Sequence, residues 1–528
     1  MRSAPRLVTV LLLSRMFRLA LRPLLFGLTL LSSAIFPAAA SAQVVTRATS
    51  FDQLRAQLDA QVNAPRFNAA LWSVKIISLE TGRVWFEHHA DRLLSPASNC
   101  KLYSAALALD RLDRDYRIVT PLLATAKPDT GGELRGDLIV SGRGDPSWGV
   151  RGTKKDFWST FEPIVDALTK AGVKHITGDV VADATFIRGL PNAAGWTADD
   201  LMDDYGAEVS AVSLEDNFAD LRVTPGGKVG DPCTLAFVQP HTGLVLDNRT
   251  TTIAAGGKKH LVRTRLLGEN IVHLFGELPL GAPEELVDVT VPRPATWFAT
   301  ALKEALTRRG IRVDGIARSL RWPDAPAAGS VSLGELSSPP LHEMITALMK
   351  PSQNLETDLI FDLLGEKFRA ANAPALQTSE DSAVELLREF LRANALPAGE
   401  VRFEEGSGLS RNNLASANAT VALLQHMSTH RAAKDFYNSL PIAGVDGSLR
   451  RRMKGTPAEN NVRAKTGTLR YADSLSGFVT TAAGERLAFA LMLNRYVPPA
   501  GRTARNELEE IAVLLAGCNA RPGAATPP

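Results

Sequence analysis

Between residues 117 and 290 the sequence breaks into short β-like stretches separated by Gly, Asp and Pro, whereas on both sides it alternates longer helices and strands. That change of texture constrains the fold most. It predicts one α/β (α+β) domain whose two halves, 43–116 and 291–518, are separated in sequence by a β-rich inserted region of about two subdomains. In the first half, Phe51–Val62 reads as a helix, Trp72–Leu79 and Val84–Glu87 as strands around the turn Glu80-Thr81-Gly82-Arg83, and Ser98–Leu112 as a helix entered through Pro96. In the second half, helices are expected over 297–309, 341–349, 355–370, 382–393, 417–429 and 503–515. A strand over 461–468 precedes a hairpin, Ser474–Thr481 and Leu487–Asn494, turning at Ala482-Ala483-Gly484-Glu485. The insertion carries strand-like stretches near 136–141, 176–181, 221–223, 235–238, 260–266 and 271–275, and one helix near 160–171. Residues 519–528 form a loose Pro/Ala tail.

The first 42 residues hold five arginines and no acid, then an apolar run from Leu24 to Phe36, then Ala38-Ala39-Ala40-Ser41-Ala42. This is the layout of a secretory signal peptide, too short in its apolar part for a membrane span of roughly 20 residues. Met16 opens a second, more ordinary version of the same signal. Without those five arginines the formal charge falls from +3 to −2, and no basic tract remains to bind nucleic acid. Export to the periplasm or cell envelope implies an oxidising compartment without ATP. Three cysteines, Cys100, Cys233 and Cys518, are too few for a disulfide scaffold, and leave a Cys233–Cys518 pair open.

Three short patterns carry chemistry: Ser98-Asn99-Cys100-Lys101, Ser352-Gln353-Asn354 and Lys465-Thr466-Gly467-Thr468. Singly they are weak. S-x-x-K and S-x-N each arise roughly once or twice by chance in a chain this long, and Ser410-Arg411-Asn412 and Ser416-Ala417-Asn418 are rival S-x-N matches. Ser352 is favoured because it follows Pro351 and directly precedes a helix. The three patterns together, in this order and each in its expected local structure, form the set found in β-lactamases and penicillin-binding proteins.

Physical chemistry fits the placement. Ser98 and Lys101 share a helix face, and Ser98 sits in the first turn, where free N–H groups stabilise negative charge. A serine hydroxyl needs a base, and Lys101 serves only when neutral, a state favoured by burial and by a second cation such as Lys465. Ser352 can shuttle a proton between the lysines and a leaving amine. Asn354 offers a donor and an acceptor to a substrate amide. Lys465 and Thr466 can bind a carboxylate, Gly467 allows close approach, and the N–H groups of Ser98 and Thr468 can form an oxyanion hole. Other signals are weaker. His426 and His430 are a helical i,i+4 pair without a third ligand, there is no H-E-x-x-H, and no metal or organic cofactor is called for. No G-x-S-x-G elbow or P-loop is present.

The chain resembles the D-alanyl-D-alanine carboxypeptidase/endopeptidase family, the class C low-molecular-mass penicillin-binding proteins, over nearly all of its length beyond the leader. Pro96 to Leu102 resembles the family's nucleophile segment. Gly144-Asp145-Pro146, Gly178-Asp179-Val180, Tyr205-Gly206-Ala207 with Ser210-Ala211, Gly406 to Arg411 and Leu440 to Leu449 resemble further landmarks. Ser352 follows Ser98 by 254 positions, a separation that matches this family and not a plain β-lactamase. Gln353 stands where Asp is usual, Glu405 where an Asp usually precedes Gly-Ser-Gly, and Ser147-Trp148 replaces Thr-Leu. None of these removes a reacting group. The resemblance implies a penicillin-binding/β-lactamase-like transpeptidase domain, an antiparallel sheet flanked by helices with a large insertion. It implies a serine peptidase acting on peptidoglycan stem peptides and cross-links, with β-lactams as inhibitors and no nucleic-acid partner, and leaves the oligomeric state open. It also implies an acid from the insertion that contacts the substrate's diamino acid, with Asp183 the best-matching position. The motifs themselves leave two alternatives: a β-lactamase or esterase of the same fold, or a non-catalytic module that binds wall peptides or senses penicillin.

Overall fold

A five-stranded antiparallel sheet draws on both ends of the chain in the computed structural model, which describes residues 48–329 and 331–520. The expected signal peptide and the end of the tail lie outside the described residues. Among the described residues no helix is long and apolar enough to cross a membrane. The strand order is Arg463–Leu469, Ala472–Thr480, Arg486–Asn494, Leu71–Ser78, Val84–His88. Leu71 pairs with Asn494 and Ser78 with Leu487, so the first strand joins the C-terminal hairpin in unbroken register.

The middle strand, Arg486–Asn494, is buried at eight successive positions, which explains its nearly continuous apolar run. Alternation divides its side chains. Leu487, Phe489, Leu491 and Leu493 meet the helices Phe51–Val62 and Ala504–Gly517 on one face. Ala488, Ala490 and Met492 meet the main helical cluster on the other. There the helix Cys100–Arg111 is buried from Cys100 to Leu109, so it lies in the centre of the protein and not on a surface. Around it pack the helices Leu341–Met349, Asn354–Lys367, Ser379–Ala393 and Ala417–Thr429.

The insertion leaves and re-enters this body at one place: Ser338 N donates to Ile118 O and Ile118 N to Ser338 Oγ, both at 2.9 Å. Its main sheet runs Ala317–Arg321, Val180–Ala184, Leu138–Ser141, Val119–Ala124, Val331–Ser337. Two of its pairings are parallel and two antiparallel. The helices Glu162–Lys170 and Pro294–Arg308 pack on it in one apolar cluster. A second cluster joins two three-stranded sheets built from residues 218–290. We therefore place the end of the insertion at Ser338. The expected boundary at 290 is too early, because the helix and strands that follow complete the insertion's own sheet. The three cysteines are free and buried; Cys233 and Cys518 belong to different clusters and do not pair.

Candidate functional site

Pro96 leads into a tight 3₁₀ turn, Ala97–Asn99, which runs directly into the helix Cys100–Arg111. Ser98 sits in this turn and not in the helix's first turn, and is half-buried. The three-residue spacing still brings the two together, with Lys101 Nζ 3.1 Å from Ser98 Oγ. The turn is stapled to the edge strand Arg463–Leu469: Asn99 Nδ2 donates to Lys465 O (3.2 Å) and to Ser474 Oγ (2.7 Å), and Ser474 Oγ donates to Pro96 O (2.6 Å). Gly467 is required here. A Cβ at that position would lie 2.6 Å from Pro96 O and 2.2 Å from Ser474 Oγ.

Lys101 is fully buried. Besides Ser98 it donates to Asn354 Oδ1 and to Ser407 O, both at 2.6 Å. Two fixed carbonyl acceptors occupy two N–H bonds. In the neutral amine the remaining lone pair is left for the Ser98 hydroxyl. Burial pushes Lys101 down to about 8, against the opposing pull of Asp358 and Glu405. Lys465, also fully buried, is pushed well below the ordinary lysine value, first by burial and then by Lys101. Burial acts first on both lysines, and the repulsion between them disfavours charge on both at once.

Ser352 adopts φ 75°, a left-handed conformation that costs a non-glycine residue of order 1 kcal/mol. Lys465 Nζ reaches its Oγ at 2.6 Å, while no hydrogen bond links Ser352 to Lys101. Asn354 opens the helix Asn354–Lys367. Its Nδ2 donates to Tyr205 O at 2.8 Å, so the inserted region orients the amide whose oxygen holds Lys101. On the edge strand, Ala464 N donates outward to Pro441 O. Strand alternation then turns the N–H groups of Thr466 and Thr468 to the same outer edge, toward the cleft. Thr466 Oγ1 is held by Ser448 Oγ at 2.7 Å.

Asp183 is not brought to this cluster. It is buried in the insertion's sheet, with Oδ1 accepting from Thr185 N and Oγ1 and Oδ2 from Ala327 N, so both oxygens are committed to backbone and hydroxyl donors there. Another acid of the insertion, Asp200, is also buried and is bound by Arg411 Nη1 at 2.6 Å and Nη2 at 3.2 Å and by Thr197 N and Oγ1. Cys100 faces away from Ser98, as its offset on the helix implies, and receives Asn413 Nδ2 at 3.4 Å. Tyr205, Glu405, Ser407 and Arg411 lie in segments that the sequence marks only as landmarks, with no role attached. Two of those roles are played by backbone carbonyls, which leave no side-chain signature.

The chain matches the model of the D-Ala-D-Ala carboxypeptidase 3 (S13) family over residues 54–515. A curated relative, a D-alanyl-D-alanine carboxypeptidase of Actinomadura sp. (strain R39), is 30% identical over 487 residues, covering 89% of this chain and 86% of the relative. The D-alanyl-D-alanine carboxypeptidase DacB of Haemophilus influenzae is 26% identical, covering 79% and 84%. The crystal structure of penicillin binding protein 4 (dacB) from Haemophilus influenzae superposes with a TM-score of 0.72 at 23% identity, over 84% of this chain and 95% of that one. A second structure of that protein, complexed with a β-lactam, gives 0.69. The fold is the penicillin-binding one with a large insertion.

Proposed function

The chain belongs to the D-Ala-D-Ala carboxypeptidase 3 (S13) family, and from that premise we propose a penicillin-sensitive serine carboxypeptidase of peptidoglycan peptides in which Ser98 is the nucleophile and Lys101 its base. The observation that carries this reading is the arrangement at Lys101: a buried amine with two N–H bonds fixed on carbonyls and its remaining valence on Ser98 Oγ.

The substrate lies along the outer edge of the strand Arg463–Leu469 as an added strand. Its terminal carboxylate goes to Lys465 and Thr466. That carboxylate favours the charged form of Lys465, and charge on Lys465 disfavours charge on Lys101, so arrival of substrate readies the base. Ser98 Oγ attacks the carbonyl between the two D-alanines as its proton passes to Lys101. The oxyanion meets the N–H groups of Ser98 and Thr468. The C–N bond breaks, and the leaving amine takes a proton from Ser352, replenished from Lys465 at 2.6 Å; the proton that Lys101 took from Ser98 returns to Lys465 through solvent, leaving Lys101 neutral. Water, giving a proton to Lys101, then hydrolyses the acyl-serine, and Lys101 returns that proton to Ser98 Oγ. A cross-link ending in the same D-alanyl bond is cut likewise, which is the endopeptidase reaction. A β-lactam acylates Ser98 in place of the peptide. The leader-like N-terminus fits a wall substrate outside the cytoplasm.

Release of D-Ala from a pentapeptide ending in D-Ala-D-Ala tests this. The wild-type protein should turn over, and Ser98→Ala should lose roughly 10³-fold or more. Undiminished release by Ser98→Ala would overturn the assignment.

A further inference from the structure

Behind Lys101 lies a buried carboxylate that the mechanism above does not use. Glu405 is fully buried. It accepts from Ser407 N (2.7 Å), Ser407 Oγ (2.5 Å), Gly408 N (2.8 Å), Ser410 N (3.2 Å) and Asn413 Nδ2 (2.5 Å). Five donors and no acceptor is the hydrogen-bonding pattern of a carboxylate. The loop it gathers is the one that presents Ser407 O to Lys101 at 2.6 Å. The same loop rests on the nucleophile's turn, where a Cβ on Gly408 would come within 2.1 Å of Ala97 O.

The charged and titratable groups facing Lys101 are Lys465, Cys100, Asp358 and Glu405. Asp358, one helical turn beyond Asn354, accepts from Gly406 N at 3.1 Å, while its buried Oδ2 makes no hydrogen bond. Burial, then Glu405, pushes Asp358 well up, and the same two causes push the Cys100 thiol well up. Of the two carboxyls, Asp358, whose buried Oδ2 has no partner, is the one that takes the proton. Toward Glu405 itself face Asp358, Cys100 and Lys101, with Asp362, Glu380 and Glu404 further along the same acidic region. Glu405 is thus the negative charge set against the catalytic amine.

We propose that Glu405 is a positioning residue that does two things at once: it fixes the Ser407 carbonyl on Lys101, and its charge sets the pH at which Lys101 becomes the base for Ser98. This rests on the reading of Ser98 and Lys101 above. A negative charge beside an ammonium favours the protonated form. Glu405 therefore holds the base protonated to higher pH than burial alone would.

The test is the pH dependence of second-order acylation by a fluorescent penicillin, for wild type, Glu405→Gln, Glu405→Asp and Asp358→Asn. Neutralising Glu405 should move the acidic limb down by about one pH unit or more. Glu405→Asp keeps the charge and should leave the limb in place while lowering the rate. Asp358→Asn exchanges one neutral group for another and should also leave the limb in place. A limb unmoved in Glu405→Gln, or moved as far by Asp358→Asn, overturns the proposal. If Glu405→Gln does not fold, Glu405→Asp decides: a limb displaced by a unit with the charge still present overturns it. Failure of the wild-type protein to acylate at all would instead contradict the functional reading.

Discussion

Lys101 combines three constraints in one side chain: it is buried, it faces a second lysine, and its N–H bonds are assigned before substrate arrives. The sign of the resulting pH dependence is fixed. Its folded value is lowered from 10.5 to about 8; below that value the amine is protonated and cannot accept the Ser98 proton. D-Ala release, measured as kcat/KM, should rise with pH and level off above about 8. Ser352 gives a second test. Its φ of 75° suits glycine better than alanine. Ser352→Gly and Ser352→Ala should lose activity alike for want of the hydroxyl, while Ser352→Gly is the more stable by about 1 kcal/mol in thermal unfolding. Ser98, Lys101, Ser352, Asn354 and Lys465 were legible in the sequence because each is a side chain in a short pattern. Ser407 O and Tyr205 O were not, because any residue supplies a carbonyl and only the fold aims it. The surroundings of Asp183 were not legible for a related reason. An acid's position along the chain does not reveal that its oxygens accept from Thr185 and Ala327.

The elements that place these residues are held by close contacts. The helix Asn354–Lys367 carries Asn354 at its start and crosses the helix Ser379–Ala393 at Gly365, where a Cβ would lie 2.0 Å from Ser379 O. Gly365→Ala should force the two helices apart and cost about 1–3 kcal/mol of stability, read as a lower midpoint in denaturant. Local signals fixed such helices well. Phe51–Val62 and Ala417–Thr429 begin after Ser50 and Ser416, whose side chains accept from the N–H groups of Gln53 and Ala419, and their bounds were readable directly. The strands near 312–337 were not assignable in the same way. Their partners lie more than a hundred residues earlier, and periodicity carries no record of which strand pairs with which.

At the scale of the whole molecule, one α/β body carries the motifs, and the insertion takes part in their geometry through Tyr205 O on Asn354 and Asp200 on Arg411. An oxidising compartment is expected, yet no disulfide joins the parts: each cysteine is free and buried. Thermal unfolding should therefore be unchanged by a reducing agent, and a midpoint that drops on reduction would show a cross-link absent from this fold. The central claim is that all these elements converge to make Ser98 a nucleophile that acylates. Intact mass of the protein after incubation with penicillin tests it most directly. One adduct of the antibiotic on the wild-type chain and none on Ser98→Ala is the predicted result; an unmodified wild-type chain with the drug intact, or an adduct that survives in Ser98→Ala, would contradict it.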